Sequence, residues 1–84
     1  MRKDEKTVSC EVSYLPLSGK TTDQISDILS IITNSGVDYE IGYYRTILRG
    51  GIDDVMSLIK ELYDKADSFG DFVIDVRFSN TCGH

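Results

Sequence analysis

The chain has 84 residues, of which 40% are hydrophobic and 27% are charged, and its formal net charge is −5. This length predicts one small domain, residues 1–84, which would gain stability by pairing with a copy of itself. The acidic balance argues against a nucleic-acid-binding protein, which needs clustered lysine and arginine, and no segment is long and apolar enough to insert into a membrane. The charged start "MRKDEK" has no apolar run behind it, which predicts a flexible tail at residues 1–6 and a cytoplasmic protein.

The first predicted element is a strand at residues 7–17, with Pro16 at its end because proline cannot donate to a ladder. The following "SGKTT" looks like the end of a phosphate-binding loop. That loop requires a glycine five residues before Gly19, where this chain has Tyr14. Thr21 and Gln24 instead match a capping box, so we interpret the stretch as the start of a helix.

Two amphipathic helices are predicted. In residues 22–35 the apolar side chains Ile25, Ile28, Leu29 and Ile32 form one stripe, and Gly36 is a typical stop. Residues 52–69 keep helical spacing throughout, and Gly70 closes them. The intervening "VDYEIGYYRTILRG" indicates two short strands joined by a turn near Gly42 and Tyr43.

A last strand is predicted at residues 71–79, where Phe72, Ile74, Val76 and Phe78 alternate with Val73, Asp75, Arg77 and Ser79. The order is therefore βαββαβ, an α+β ferredoxin-like fold with two helices on one face of a four-stranded antiparallel sheet. The other face has no cover within one subunit. Such a face is solvated, paired with another subunit, or built around a ligand. Its predicted side chains are Glu11, Ser13, Asp75, Arg77 and Ser79.

The sequence contains no residue pattern that is typical of a catalytic site or of a metal site. The one histidine, His84, is the last residue, and no base is evident that would activate a nucleophile, so we do not expect an enzyme. Cys10 and Cys82 are far apart and lack a metal-ligand spacing, and we interpret them as reduced thiols. No metal and no cofactor are expected. Tyr43 and Tyr44, near the turn, are candidates for stacking on a ligand, although turn tyrosines are more often local packing.

The chain also resembles a known family through "CEVSYLPL", "TILRGGID", "ELYDKA" and "FSNTC", which together extend over nearly its whole length. These segments look like the thiamin/hydroxymethylpyrimidine-binding YkoF family of small ferredoxin-like proteins. The resemblance implies a non-enzymatic binder of thiamine or its hydroxymethylpyrimidine half, with subunit sheets meeting face to face. The family's better-known form has two such domains in one chain, so this chain is expected to form a homodimer or homotetramer.

The resemblance also implies a ligand site on the open sheet face at a subunit interface. Ser13, Thr46 and Ser79 match the family's hydroxyl-bearing strands, and hydroxyls can donate to or accept from an aminopyrimidine. Glu11 or Asp75 would favour a cationic thiazolium by charge, and Tyr43 or Tyr44 would stack on either ring. The alternative is an oligomeric interaction or regulatory module without a ligand, in which Asp75 and Arg77 form salt bridges across a dimer interface.

Overall fold

The structure is a computed structural model that describes residues 7–19 and 21–80. The predicted tail at residues 1–6, together with Lys20, Cys82 and His84, lies outside the described residues. Within them, neither helix has the length and apolar character that crossing a membrane requires. The elements in chain order are β1 (Thr7–Pro16), α1 (Thr21–Thr33), β2 (Asp38–Ile41), β3 (Thr46–Gly51), α2 (Ile52–Asp67) and β4 (Phe72–Ser79).

The four strands form one antiparallel sheet in the order β2-β3-β1-β4. β1 lies between β3 and β4, so that Cys10 is opposite Leu48 on one side and Phe78 on the other. Both helices pack on the same face of the sheet. This arrangement confirms the predicted ferredoxin-like α+β fold. The buried core between the layers consists of Val8, Cys10, Val12, Ile28, Ile32, Leu48, Val55, Leu58, Leu62 and Ala66.

Both helices end near the predicted glycines but two residues earlier than the sequence suggested. α1 ends at Thr33 and α2 at Asp67. Gly36 follows α1 with a φ of 85°, and Gly70 follows α2 with a φ of 124°. These are backbone conformations that side chains with a Cβ rarely adopt, so the two glycines reverse the chain toward the next strand.

α1 begins at Thr21, one residue before the predicted start, and the predicted capping box is not formed. The Gln24 side chain is buried, and its Nε2 donates to the Ser18 carbonyl at 2.9 Å. Its Oε1 accepts from the Tyr14 hydroxyl at 3.5 Å. Gln24 therefore connects the start of α1 to β1 and to the turn that follows β1. A buried side-chain amide needs hydrogen-bond partners, and Gln24 finds them there and not in the first turn of its own helix.

Candidate functional site

The structure divides the predicted ligand residues between the two faces of the sheet. Glu11 is opposite Arg77, Ser13 is opposite Asp75, and Ser9 is opposite Ser79. Directly opposed residues in an antiparallel pair point to the same side, so these side chains share the open face. The predicted grouping of Glu11, Ser13, Asp75 and Ser79 on that face is therefore confirmed, while their role in binding stays a prediction.

The predicted position of Thr46 is wrong. Thr46 is opposite Val12 in the β1–β3 ladder, and Val12 is buried on the helix side. Thr46 therefore lies beneath the helices, where its side chain is only 7% exposed. Residues two apart in a strand point to the same face of the sheet. Thr46 therefore faces the helices together with Leu48, which belongs to the core.

A cavity of about 220 Å³ lies between α1 and the sheet, next to the β2–β3 turn. The apolar stripe of α1 forms its upper wall, and the helix-side residues of three strands form its floor. The upper wall consists of Ile25, Ile28, Leu29 and Ile32, and the floor of Val12, Tyr14, Ile41 and Thr46. We call this space the α1 cavity. It is concave, mostly apolar and bordered by a few polar groups, as small-molecule sites usually are.

The polar groups of the α1 cavity are well placed to meet a ligand. Among the described residues the Thr46 hydroxyl makes no hydrogen bond, and it is not fully sealed from solvent. A hydroxyl in this position can donate or accept. The Tyr14 hydroxyl is held by Gln24, and burial raises the pKa of Tyr14 above its ordinary value. Tyr14 is therefore a neutral donor and acceptor at physiological pH.

The β2–β3 turn places two exposed tyrosines at the mouth of the α1 cavity. Tyr43 is 92% exposed and Tyr44 is 82% exposed, and their ring centroids lie 4.7 Å apart in an edge-to-face arrangement. Both line the cavity together with Gly42 and Arg45. Aromatic rings with open faces at a cavity mouth can stack on a planar or cationic ligand.

The turn is fixed to the open face of β1, which limits how the tyrosines can move. The Ser13 hydroxyl donates to the Tyr44 carbonyl at 3.4 Å, and Arg45 Nε lies 3.5 Å from Glu11 Oε1. The Gly42 N–H donates to the Arg45 carbonyl at 2.8 Å. Ser13 and Glu11 thus have a structural role in holding the turn, independent of any ligand.

We expect Gly42→Ala to loosen this turn. A Cβ at position 42 would lie 2.8 Å from the Arg45 carbonyl oxygen, which is closer than side chains normally approach backbone. The backbone must shift, so the free energy of unfolding should fall by about 1–3 kcal/mol. Urea denaturation followed by circular dichroism measures the loss. Gly50→Ala is the control, because a Cβ there would meet only side-chain carbons at 3.7 and 3.8 Å. Equal effects of the two substitutions would contradict the proposed constraint.

The open face itself carries a cleft with balanced charge. About 370 Å³ of space is lined by Glu11, Ser13, Arg45, Asp75, Val76 and Arg77. Its two carboxylates are matched by two guanidinium groups, so the cleft offers no net negative charge to a cation. The Glu11–Arg45 pair is also partly exposed, where water and salt weaken its field.

Cys10 is the one predicted thiol that the structure describes, and it lies fully buried in the core. Burial, and to a smaller extent the charge of Glu11, raises the pKa of the Cys10 thiol to about 11. A thiol with this pKa is protonated at neutral pH and is a poor nucleophile or metal ligand. Across residues 7–19 and 21–80, no three His, Cys, Asp or Glu side chains are grouped so as to hold a metal ion.

The protonated state of Cys10 predicts that it resists thiol reagents in the folded protein. At pH 8 only about one thiol in a thousand would be ionised at a pKa of about 11, against about one in ten at the ordinary pKa of 9.0. In a Cys82→Ser variant, which leaves Cys10 as the sole cysteine, a chromogenic disulfide reagent at pH 8 should react only after denaturant is added. Rapid reaction of the native variant would contradict the burial of Cys10.

The chain is similar to one known protein family and to several solved structures. A family model described as "Thiamine-binding protein" matches residues 10–74. No curated protein matches the chain. Among solved structures, a domain of unknown function from Bacillus cereus has a TM-score of 0.82 at 17% identity, covering 94% of this chain and 80% of its own. A Thermotoga maritima protein, named as a candidate for thiamine biosynthesis or salvage, has a TM-score of 0.77 at 23% identity, with coverages of 86% and 81%. At these identities the structural matches establish the fold alone.

Proposed function

Because this chain belongs to the thiamine-binding protein family, we propose that it binds thiamine or the hydroxymethylpyrimidine half of thiamine, without converting it, in vitamin salvage or transport in the cytoplasm. The family match over residues 10–74 carries this proposal. It favours a binding protein over an enzyme. The Thermotoga maritima protein of the same fold adds support through its assignment to thiamine biosynthesis or salvage.

We place the pyrimidine ring in the α1 cavity. Its volume of about 220 Å³ suits a single substituted ring, and its apolar walls exclude water from the ring faces. An aminopyrimidine has ring nitrogens that accept hydrogen bonds and an exocyclic amine that donates. The Thr46 hydroxyl can serve either group, since it is buried and has no hydrogen-bond partner in the described part of the chain.

In this orientation the cationic thiazolium ring of thiamine extends to the mouth of the cavity. The open ring faces of Tyr43 and Tyr44 are available there for cation–π contact. Arg45 also borders the mouth, but its guanidinium pairs with Glu11 on the open face, which reduces its repulsion of the cation. The β2–β3 turn therefore offers the rings of Tyr43 and Tyr44 for stacking, and its one guanidinium group, Arg45, is already paired with Glu11.

The location suggested by the family resemblance is a competing proposal. There, the ligand lies on the open face at an interface between subunits of a homodimer or homotetramer, with Glu11, Ser13, Asp75 and Ser79 as contacts. The balanced charge of that cleft and its mostly charged lining favour it less than the apolar α1 cavity. In the remaining alternative the protein is an oligomeric interaction module with no small-molecule ligand.

Isothermal titration calorimetry with thiamine and with hydroxymethylpyrimidine tests the proposal. We expect Thr46→Val, which keeps the side-chain shape, to weaken binding by about 1–3 kcal/mol, or roughly 5- to 150-fold in Kd, because a buried ligand group loses its partner. Asp75→Asn on the open face is the control, because among the described residues Asp75 makes no hydrogen bond or ion pair to the β2–β3 turn, and this substitution should change Kd by less than about threefold.

The two locations give opposite results in this experiment. Weaker binding by Asp75→Asn with unchanged binding by Thr46→Val would move the ligand to the open face. Absence of binding heat and of any shift in melting temperature at millimolar ligand would contradict the function itself and favour the interaction module.

A further inference from the structure

Tyr14 contributes a second hydroxyl-bearing side chain to the floor of the α1 cavity. Thr46 is opposite Val12 in the β1–β3 ladder, and Tyr14 lies two residues beyond Val12 on the same face of β1. Tyr14 and Thr46 are therefore diagonal neighbours, whose backbones are about 7–8 Å apart in such a ladder. Both side chains line the α1 cavity. A small ring with several polar groups would thus meet two hydroxyls, which differ in their surroundings.

The side-chain amide of Gln24 has a fixed orientation. Its Nε2 lies 2.9 Å from the carbonyl oxygen of Ser18, which can only accept a hydrogen bond. An amide turned the other way would place two acceptor oxygens against each other at this distance. Gln24 is only 7% exposed, so little water is at hand to relieve that contact. Gln24 therefore presents its Oε1, and not its amino group, to Tyr14.

The segment before α1 leaves room for this amide. A Cβ at Gly19 would lie 2.5 Å from Gln24 Nε2, which is closer than real side chains approach, so a larger residue would displace the amide. The carbonyl that holds Gln24 belongs to the preceding residue, Ser18. Ser18 and Gly19, which resemble part of a phosphate-binding loop in the sequence, thus have a structural role. They hold Gln24 against Tyr14.

The fixed amide determines where the proton of the Tyr14 hydroxyl points. Oε1 of Gln24 is an acceptor, so the Tyr14 hydroxyl donates to it across 3.5 Å. Burial raises the pKa of Tyr14, and the hydroxyl therefore keeps this proton at physiological pH. A phenolic hydroxyl has one proton to donate. Toward the cavity Tyr14 can then only accept a hydrogen bond, and among the described residues no donor supplies one.

We infer that Tyr14 is a specificity-determining residue of the α1 cavity and selects an aminopyrimidine over its oxo counterpart, an inference that rests on the proposed function. The ring nitrogens of an aminopyrimidine accept hydrogen bonds, and only its exocyclic amine donates. The amine is therefore the one polar group of the ring that Tyr14 can bind. In the oxo counterpart a carbonyl oxygen replaces the amine, and two acceptors then face each other without a proton between them.

Thr46 does not make this distinction. Its hydroxyl has no hydrogen-bond partner in the described part of the chain, so it can rotate to donate to a ring nitrogen or to accept from a protonated one. The proton that the oxo ring carries on a nitrogen can therefore be served by Thr46, whereas its carbonyl still lacks a donor at Tyr14. Gln24 lies outside the lining of the α1 cavity and acts through Tyr14, as a positioning residue.

Calorimetry with thiamine and with oxythiamine, in which an oxo group replaces the pyrimidine amine, tests this selection. The unaltered chain should bind thiamine at least about tenfold more tightly, because the oxo group leaves an acceptor without a partner. Gln24→Met keeps the length of the side chain but removes its polar atoms, which frees the Tyr14 proton for the ligand. This variant should bind oxythiamine at least about fivefold more tightly than the unaltered chain does. General damage to the fold would not produce such a gain.

Two further variants complete the experiment. Tyr14→Phe should weaken thiamine binding at least about fivefold and change oxythiamine binding by less than about threefold, since only the amine loses a partner. It decides the question if Gln24→Met does not fold. Thr22→Met is the matched control, because it places the same side chain on the exposed side of the same helical turn. Its preference for thiamine should equal that of the unaltered chain.

The failure of this inference is distinguishable from the failure of the proposed function. Equal affinities of the unaltered chain for thiamine and oxythiamine would overturn the inference and leave thiamine binding intact. A preference for thiamine that is unchanged in folded Gln24→Met or in Tyr14→Phe would also overturn it. Absence of thiamine binding by the unaltered chain would instead contradict the proposed function, and the inference with it.

Discussion

Leu48→Ala is expected to remove about 2–5 kcal/mol from the free energy of unfolding, which is a large part of the total for a chain of 84 residues. Leu48 is fully buried in the middle of the sheet, opposite Cys10 of β1 and Tyr39 of β2. Truncation leaves a cavity between the sheet and the helices. The surrounding side chains cannot close it, because backbone hydrogen bonds hold β3 on both sides.

Urea denaturation followed by circular dichroism measures this effect. Met56→Ala is the matched control, because Met56 is half exposed on α2 and alanine favours a helix. Its free energy of unfolding should change by less than about 1 kcal/mol. Similar losses in the two variants would show that Leu48 does not have the central core position described here.

Ile25→Trp is expected to abolish ligand binding while the protein stays folded. Ile25 lines the α1 cavity but is 40% exposed, so a larger side chain can be accommodated at the rim. An indole ring at this position would fill the space that we assign to the pyrimidine. A loss of at least about 100-fold in affinity corresponds to the roughly 3 kcal/mol that burial of one aromatic ring contributes.

The same substitution on the other helix separates a blocked cavity from a general effect of tryptophan. Met56→Trp places the ring on an exposed part of α2, away from the α1 cavity. Calorimetry with thiamine should give the affinity of the unaltered chain for Met56→Trp and no measurable binding for Ile25→Trp. Retained binding by Ile25→Trp would place the ligand elsewhere.

Periodicity predicted those parts of the fold that depend on one repeating pattern. The stripe Ile25, Ile28, Leu29 and Ile32 identified the inner face of α1, and that face is also the wall of the α1 cavity. The strict alternation in β4 placed Asp75 and Arg77 on the open face. Gly36 and Gly70 marked the helix ends, because their positive φ values require glycine at these reversals.

The face of the sheet on which Thr46 lies could not be predicted from the pattern of β3 alone. Ile47 and Leu48 are consecutive apolar residues, so an alternating pattern does not tell which of them faces the core. The pairing of Leu48 with buried Cys10 decides it, and this pairing is a property of the sheet and not of β3 alone. The α1 cavity is likewise beyond a linear pattern, since it depends on the space between α1 and three separate strands.

The central claim, that the pyrimidine lies between α1 and the sheet, is tested most directly by NMR of the protein saturated with thiamine. We predict intermolecular nuclear Overhauser effects from the pyrimidine methyl group to the side-chain methyls of Ile28 and Thr46, which line the α1 cavity. Ile47 points to the open face and should show none. Effects to Ile47 in the absence of effects to Ile28 and Thr46 would contradict the claim.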